Sequence, residues 1–226
     1  MLAIIFLVGI LTLIFFLSFW QIRDYRLLKT VTRRNRGTWS ERHLVLKLLK
    51  NGFSAQAIFH DLYLKKADNT FSQIDLIIAT EVGIIVVEVK DYSGWIFGIG
   101  HNSHWTQVLA GGKRKYRFYN PILQNNSHIL NLKRSHKQFE GIPFYSVIIF
   151  YGSCVLKNVT FIPNEISLIK SDRALEGIEK IIAENKPAFY SNKEEVFELL
   201  KDAVKNGEDK KNQIQHIKNI KDIIGA

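Results

Sequence analysis

Residues 73–90 read QIDLIIATEVGIIVVEVK, and the way this stretch folds decides the architecture. Ile74–Ala79 and Gly83–Lys90 are almost wholly apolar and rich in β-branched side chains. Such runs form strands covered on both faces. Thr80–Gly83 is short enough to be the turn between them. Three side chains break the apolar run: Asp75 in the first strand, Glu88 and Lys90 in the second. A two-residue loop at Glu81-Val82 places Asp75 directly opposite Glu88. A loop at Val82-Gly83 places it opposite Lys90 instead, and a three-residue loop aligns it with neither. Glu88 and Lys90 are two residues apart and share a face in any case.

Carboxylates facing each other across about 5 Å of a buried hairpin repel. A divalent cation relieves that repulsion. Mg²⁺, or Mn²⁺ in its place, takes one or two carboxylates and completes its shell with water and phosphate oxygens. A neighbouring lysine then stabilises developing negative charge or helps position a metal-bound water. This is equipment for phosphodiester hydrolysis. The plainer alternative is an ion pair of Asp75, Glu88 and Lys90 at a solvated sheet end.

Outward from the hairpin, Leu44, Val45, Leu48 and Leu49 recur at helical spacing, with Asn51-Gly52 as the stop. Thr38-Trp39-Ser40-Glu41 fits a capping box, which accounts for Glu41 without any catalytic role. Ala57–Tyr63 reads as a strand, and Trp105–Leu109 with Lys113–Phe118 as a second hairpin. Asn120-Pro121 opens a helix, with Asn as the cap and Pro in the first turn. That helix is expected to run to about Phe139. Ser146–Tyr151 and Ile166–Lys170 follow as strands. Helices are expected up to about Ala183, over Glu194–Lys205 and over Gln213–Ile224. The order predicts an α/β (mixed α+β) fold with a central mixed sheet flanked by helices.

Taken in order, Glu41 on the opening helix, Asp75 in QIDLII, Glu88-Val89-Lys90 in VVEVK, Trp105, and Asn120-Pro121 with Gln124 in NPILQ form a recognisable set. It resembles the nuclease-related domain (NERD) of the PD-(D/E)xK nuclease superfamily, over residues 37 to about 160 and up to 175. The resemblance implies a restriction-endonuclease-like core. It implies that Asp75 and Glu88 bind Mg²⁺ or Mn²⁺ and that Lys90 is the catalytic lysine. It makes Glu41 an acid that assists the metal, and Gln124 a polar residue that contacts substrate or orients the site. Ile74 stands where the superfamily's name has proline. Gln124 and His128 share a helix face at i,i+4, where a surface or core role is the alternative.

No Asp or Glu occurs between Tyr92 and Phe139, a stretch that carries Lys113, Arg114, Lys115, Arg117, Lys133, Arg134 and Lys137. Tyr116, Phe118 and Tyr119 are interleaved with the first group. A positive lobe beside a carboxylate site suits nucleic acid, whose phosphates must be attracted despite the acids. The six residues from Lys113 to Arg117 and Lys133 to Arg134 are the candidate nucleic-acid contacts. His101 and His104 lack an evident third metal ligand.

The N-terminus is a different kind of sequence. Leu2–Trp20 reads LAIIFLVGILTLIFFLSFW, without a charge. As a helix it spans about 28 Å, which matches the hydrocarbon core of a bilayer. No basic residue precedes it and no small-residue cleavage pattern follows, so it reads as a span and not a cleaved signal. Arg23, Arg26, Lys29, Arg33, Arg34 and Arg36 follow, against one acid, Asp24. This flank predicts a single-pass membrane protein whose soluble domain is cytoplasmic. The chain's formal charge of +10 thus divides between a topogenic flank and the acid-free stretch. Cys154 is the one cysteine, which excludes an internal disulfide framework.

The expected organisation is a transmembrane helix (1–20), a basic linker (21–36), the nuclease-like domain (37–175) and a helical extension (176–226), which either packs on the core or recruits a protein partner. The expected function is a membrane-anchored, metal-dependent nuclease acting on DNA or RNA. The alternative is a catalytically silent module that binds nucleic acid or protein at the membrane.

Overall fold

The computed structural model describes residues 1–66 and 68–224. The helices are α1 (Leu2–Leu28), α2 (Trp39–Lys50), α3 (Pro121–Ser135), α4 (Ala174–Glu184), α5 (Lys193–Asn206) and α6 (Lys210–Ile224). The strands are β1 (Ile58–Lys65), β2 (Phe71–Thr80), β3 (Gly83–Asp91), β4 (Trp95–Ile99), β5 (His104–Leu109), β6 (Arg114–Tyr119), β7 (Phe144–Tyr151), β8 (Val155–Thr160) and β9 (Ile166–Lys170).

The expected mixed sheet has the order β1-β2-β3-β7-β9. The β1-β2-β3 meander is antiparallel, and β7 and β9 join it in parallel. Leu44, Val45 and Leu48 of α2 pack on one face with Ala174 and Ile178 of α4, against Leu76, Ile85, Val87 and Ile149. Ile129 and Leu132 of α3 cover the other face with Val196, Leu200 and Ala203 of α5, against Leu62, Ile77 and Val86. Fully burying one such aliphatic side chain stabilises the fold by about 1.5–3 kcal/mol. Residues after 175 are therefore partly core: α4 and α5 complete the two helical layers. Of the three helices from Ala174 onward, α6 is the one that leaves large apolar side chains exposed among the described residues, Ile214 and Ile217.

A second sheet, β6-β5-β4-β8, extends the first. The parallel pair β3/β7 turns at Gly94 and Gly152 and continues as the parallel pair β4/β8. Both glycines have positive φ (75° and 70°), and a Cβ on either would strike a carbonyl oxygen at 2.3 Å. Trp105 of β5 stacks on Phe150 of β7, ring centroids 6.3 Å apart, and joins the two sheets. Strands β4 and β8 were not expected. WIFGI is short and bounded by glycines, and VLKNVT is mostly exposed, so neither has the apolar run of a central strand.

Helix α3 ends at Ser135, earlier than its apolar spacing suggests. His136 is extended and Lys137–Phe139 form a single 3-10 turn. At its start, the buried Asn120 caps the helix by accepting the Ile122 N–H at 2.9 Å. Its Nδ2 also donates to the carbonyls of Gly100 and Asn102, at 2.8 and 2.7 Å. Losing the cap and leaving the buried Gly100 carbonyl unpaired, with a further bond lost at the exposed Asn102, costs about 2–3 kcal/mol. Asn120→Ala is therefore expected to lower the thermal midpoint by roughly 8 °C for a chain of this size, as read by calorimetry.

Helix α1 does not stop at Trp20. Residues 21–28 contain no breaker, and α1 continues to Leu28, where it packs on α2. The Asp24 carboxylate meets the Lys50 ammonium at 2.5 Å, and Leu27 and Leu28 rest on the core. By length and composition, Phe6–Leu28 can cross a bilayer, and none of that segment is buried in protein. The Arg23 guanidinium lies 3.7 Å over the Trp20 ring. Arg36 departs from the expected lipid-facing flank. It is buried, with its Nε donating to the Asp61 carboxylate at 2.6 Å and its NH2 to the Asp61 carbonyl at 2.5 Å.

Candidate active site

The hairpin turns on Glu81-Val82. Thr80 pairs with Gly83, Ala79 with Ile84, and the ladder ends at Leu76 and Val87. The next position in this register sets Asp75 against Glu88. Asp75 is also outside the ladder on its other side. The β1–β2 pairing runs to His60–Leu76 and resumes at Leu62–Ile74, skipping Asp61 and Asp75. Asp61 there has φ of 55°, a left-handed conformation in mid-strand. Strained backbone of this kind persists only where its surroundings hold it.

Freed from the ladder, the Asp75 carboxylate accepts the Val89 N–H at 2.8 Å. Glu88 is buried. Its Oε1 lies 2.6 Å from the Lys90 Nζ, and its Oε2 is 3.4 Å from the His128 Nε2. Lys90 Nζ also donates to the Gln124 side-chain oxygen at 3.0 Å. The second ring nitrogen of His128 is within 2.8 Å of the Ser72 hydroxyl. Strands β2 and β3 thus supply the acids and the lysine, while one face of α3 supplies Gln124 and His128 four residues apart.

Glu41 serves both of the roles open to it in the sequence. Its N–H is accepted by the Thr38 hydroxyl at 3.3 Å, and that hydroxyl donates to its carboxylate at 2.7 Å, so it belongs to the cap of α2. Its other oxygen approaches the His60 Nε2 to 3.2 Å. The Glu41 charge also reaches Asp75, as the electrostatics there record.

Burial pushes the Asp75 carboxyl well above the ordinary carboxylate range, and the charges of Glu88 and then Glu41 push it further, against the pull of Lys90. Burial acts in the same sense on Glu88, but the Lys90 charge and the His128 contact outweigh it and hold Glu88 low. Burial disfavours the Lys90 ammonium, yet Glu88 and Asp75 hold its pKa above the usual lysine value. Lys90 is therefore a cation and not a free amine. The Glu88 oxygen facing His128 and the Glu41 oxygen facing His60 are buried, and at 3.4 and 3.2 Å neither contact has hydrogen-bond geometry. Among the described residues no group of three or more His, Cys, Asp or Glu gathers to hold a metal. An ion here would take few protein ligands and leave positions for water and phosphate, an arrangement that Mg²⁺ or Mn²⁺ accepts and a closed structural site does not.

The site opens on a cleft of about 370 Å³ lined by Gln73, Asp75, Gln124, Ser127, His128 and Asn131, with Lys66 and His216 at its edges. His216 of α6 is held there by the Phe71 carbonyl, 2.9 Å from its Nδ1.

The basic residues are distributed unevenly. Lys113, Arg114, Lys115 and Arg117 lie at or on β6, and the side chains on β6 alternate. Lys115 and Arg117 share one face, while Arg114 shares the other with Tyr116 and Phe118. Phe118 packs on Tyr92, two residues beyond Lys90. Lys133 and Arg134 lie at the far end of α3, about 14 Å along the helix from Gln124. Lys133 sits over the Phe144 ring at 5.3 Å, and Arg134 lines a separate concavity with Lys65 and Lys66. The structure thus gathers Asp75, Glu88, Lys90 and Gln124, with Glu41 outside that group but within reach of Asp75 electrostatically and the basic residues on two flanks. Ser72, His60 and Asp61 escape a motif search. The signal for the latter two was a His-Asp pair inside the apolar strand IFHDLYL.

A fold and a constellation of this kind define a nuclease-type α/β domain. Residues 36–151, just over half of the chain, match the model of the nuclease-related domain, NERD, and the chain belongs to that family. Its wider context is the PD-(D/E)xK nuclease superfamily. A protein of Bacillus anthracis described only as uncharacterized is 38% identical over 98 residues, which is 43% of this chain and 43% of that protein. The match thus spans less than half the length of that relative. No solved structure matches the chain.

Proposed function

We propose that this protein is a membrane-anchored, divalent-metal-dependent nuclease that hydrolyses phosphodiester bonds of DNA or RNA, with its catalytic domain in the cytoplasm. The observation that carries the proposal is the hairpin register. It sets Asp75 against Glu88, with the Lys90 ammonium 2.6 Å from Glu88, beside an open cleft that Asp75, Gln124 and His128 line. Asp75 and Glu88 would hold Mg²⁺ or Mn²⁺, with Glu41 beside them. The bound ion supplies Lewis acidity at the phosphate and lowers the pKa of an attacking water.

The chain's own residues do the rest. Lys90 presents a fixed positive charge to the negative charge that develops on phosphate oxygens. Gln124 accepts a hydrogen bond from Lys90 and keeps its Nζ at the cleft. His128, fixed by Ser72, orients Glu88. Lys113, Arg114, Lys115 and Arg117 draw in the phosphate backbone on one flank, and Lys133 and Arg134 do so on the other. The apolar helix and its basic flank support the anchor and its orientation. A protein partner, if one is recruited through the C-terminal helices, meets α6, since α5 is occupied by the core.

The test uses the full chain in detergent micelles with labelled single- and double-stranded DNA and RNA. Cleavage is expected with Mg²⁺ or Mn²⁺ and none with EDTA. Binding of substrate without cleavage under any metal condition would instead identify a silent nucleic-acid-binding module.

A further inference from the structure

Two buried polar links leave the turn that follows α1 and end at the candidate site. The first runs from Thr32, whose hydroxyl is 2.7 Å from the His60 Nδ1, through the ring to Glu41, whose carboxylate lies 3.2 Å from Nε2 in a close contact without hydrogen-bond geometry. The second runs from Arg36, which grips both the carboxylate and the carbonyl of Asp61. The other oxygen of Asp61 accepts from the Gln73 side chain at 2.9 Å, and Gln73 lines the cleft beside Asp75. All four origins and relays (Thr32, Arg36, His60, Asp61) are buried.

Burying such groups is costly unless each is paired, and a hydrophobic filling of the same space is often at least as stable. Their placement points to another use. Asp61 is the left-handed residue whose departure from the β1–β2 ladder lies across from Asp75. Gly37, at φ 60°, lies against the Glu41–His60 contact so closely that a Cβ would come within 2.4 Å of the Glu41 oxygen and 2.5 Å of the His60 Nε2. The juxtamembrane turn is thus moulded onto the carboxylates from behind.

We propose that His60 and Asp61 are positioning residues which fix Glu41 and Asp75 according to how the juxtamembrane turn is seated, through Thr32 and Arg36. The proposal rests on the nuclease reading, because Glu41 and Asp75 matter here as members of the metal site. Groups that orient a metal's carboxylates without touching the ion usually govern affinity by 10–100-fold. The consequence is that the cytoplasmic end of the membrane helix and the site are mechanically one unit, so a change in the turn reaches the carboxylates without entering the cleft.

Mn²⁺ binding, read by electron paramagnetic resonance on the full chain in micelles, tests this without requiring turnover. Asparagine places its amide near the Nδ1 of histidine, and glutamine places it near Nε2. His60→Asn keeps a partner for Thr32 but loses the one for Glu41, and it is expected to weaken Mn²⁺ binding by about 10–100-fold. His60→Gln keeps the Glu41 partner and is expected to stay within about threefold of wild type. Thr32→Val, isosteric and outside the cleft, is expected to weaken binding several-fold while its thermal midpoint falls by only about 5 °C, the cost of the unpaired His60 Nδ1, so that the protein stays folded at the assay temperature. Equal Mn²⁺ affinity in wild type, His60→Asn and Thr32→Val overturns the inference and leaves the nuclease reading intact. Equal losses in His60→Asn and His60→Gln that track loss of folded protein also overturn it, by reducing His60 to packing. A wild-type chain that takes up no Mn²⁺ overturns the nuclease reading, and the positioning role with it.

Discussion

On the proposed nuclease reading, Lys90→Met is expected to lower phosphodiester cleavage by about 10²–10³-fold, the usual effect of removing one preorganised positive group from a developing oxyanion. The same substitution is expected to destabilise the protein. Glu88 is buried, and its Oε1 has the Lys90 ammonium at 2.6 Å as its partner. Breaking a buried pair by removing one member costs about 3–5 kcal/mol, because the remaining charge is stranded. For a domain of this size that lowers the thermal midpoint by roughly 10 °C. The two effects separate by temperature. Assayed well below its lowered midpoint, where calorimetry shows the variant folded, Lys90→Met is expected to keep the full loss of cleavage. Near wild-type cleavage by the folded variant would mean that Lys90 only holds the fold.

The expected role for Lys90 is electrostatic and not that of a base. Its pKa is held above the lysine norm, so at neutral pH it has no lone pair to offer. Proton removal from a water must then fall to another group or to the ion's own effect on water.

Much of this was legible in the sequence because the apolar runs place Asp75, Glu88 and Lys90 on one hairpin and Glu88 and Lys90 on one face. The register itself was open among three loops, and the turn at Glu81-Val82 selects the one that sets Asp75 against Glu88. The cap at Thr38 and the Asn120-Pro121 start were legible for the same local reason. What stayed hidden depends on distance in the chain. The pairing of Arg36 with Asp61 joins a basic flank to a strand 25 residues away. Nothing in the run of arginines distinguishes the buried one from its exposed neighbours. His60 and Asp61 could be noticed as polar intrusions in a strand, but their partners Thr32 and Gln73 follow only from how the turn packs. Strands β4 and β8 escaped because their stability comes from continuing a parallel pair and not from their own composition. The length of α1 escaped because hydropathy marks where the apolar residues stop, whereas a helix ends only at a breaker or a cap.

Asp75→Asn separates function from stability in the opposite sense. Cleavage is expected to fall by about 10³-fold, since a metal site worth several kcal/mol of transition-state stabilisation loses one of its two principal carboxylates. The metal-free protein is expected to become more stable. The folded pKa of Asp75 is raised above its ordinary value of 3.8 by burial and by Glu88 and Glu41. The native state therefore keeps this proton at pH values where the unfolded chain has released it. A carboxyl of this kind contributes its full stability below about pH 4 and loses it as pH rises towards the folded pKa. Asparagine keeps an oxygen for the Val89 N–H and removes the charge, so the variant escapes that loss. In EDTA the variant should melt above wild type at pH 8, with the difference closing towards pH 4. Adding 10 mM Mg²⁺ should then reverse the order. Wild type gains about 1.4 kcal/mol if its dissociation constant is on the order of 1 mM, and the variant gains little. Melting curves across pH, with and without Mg²⁺, decide it. A variant that melts below wild type at pH 8 in EDTA would show that Asp75 is settled by its protein partners alone, and the case for a cation between Asp75 and Glu88 would lose its physical basis.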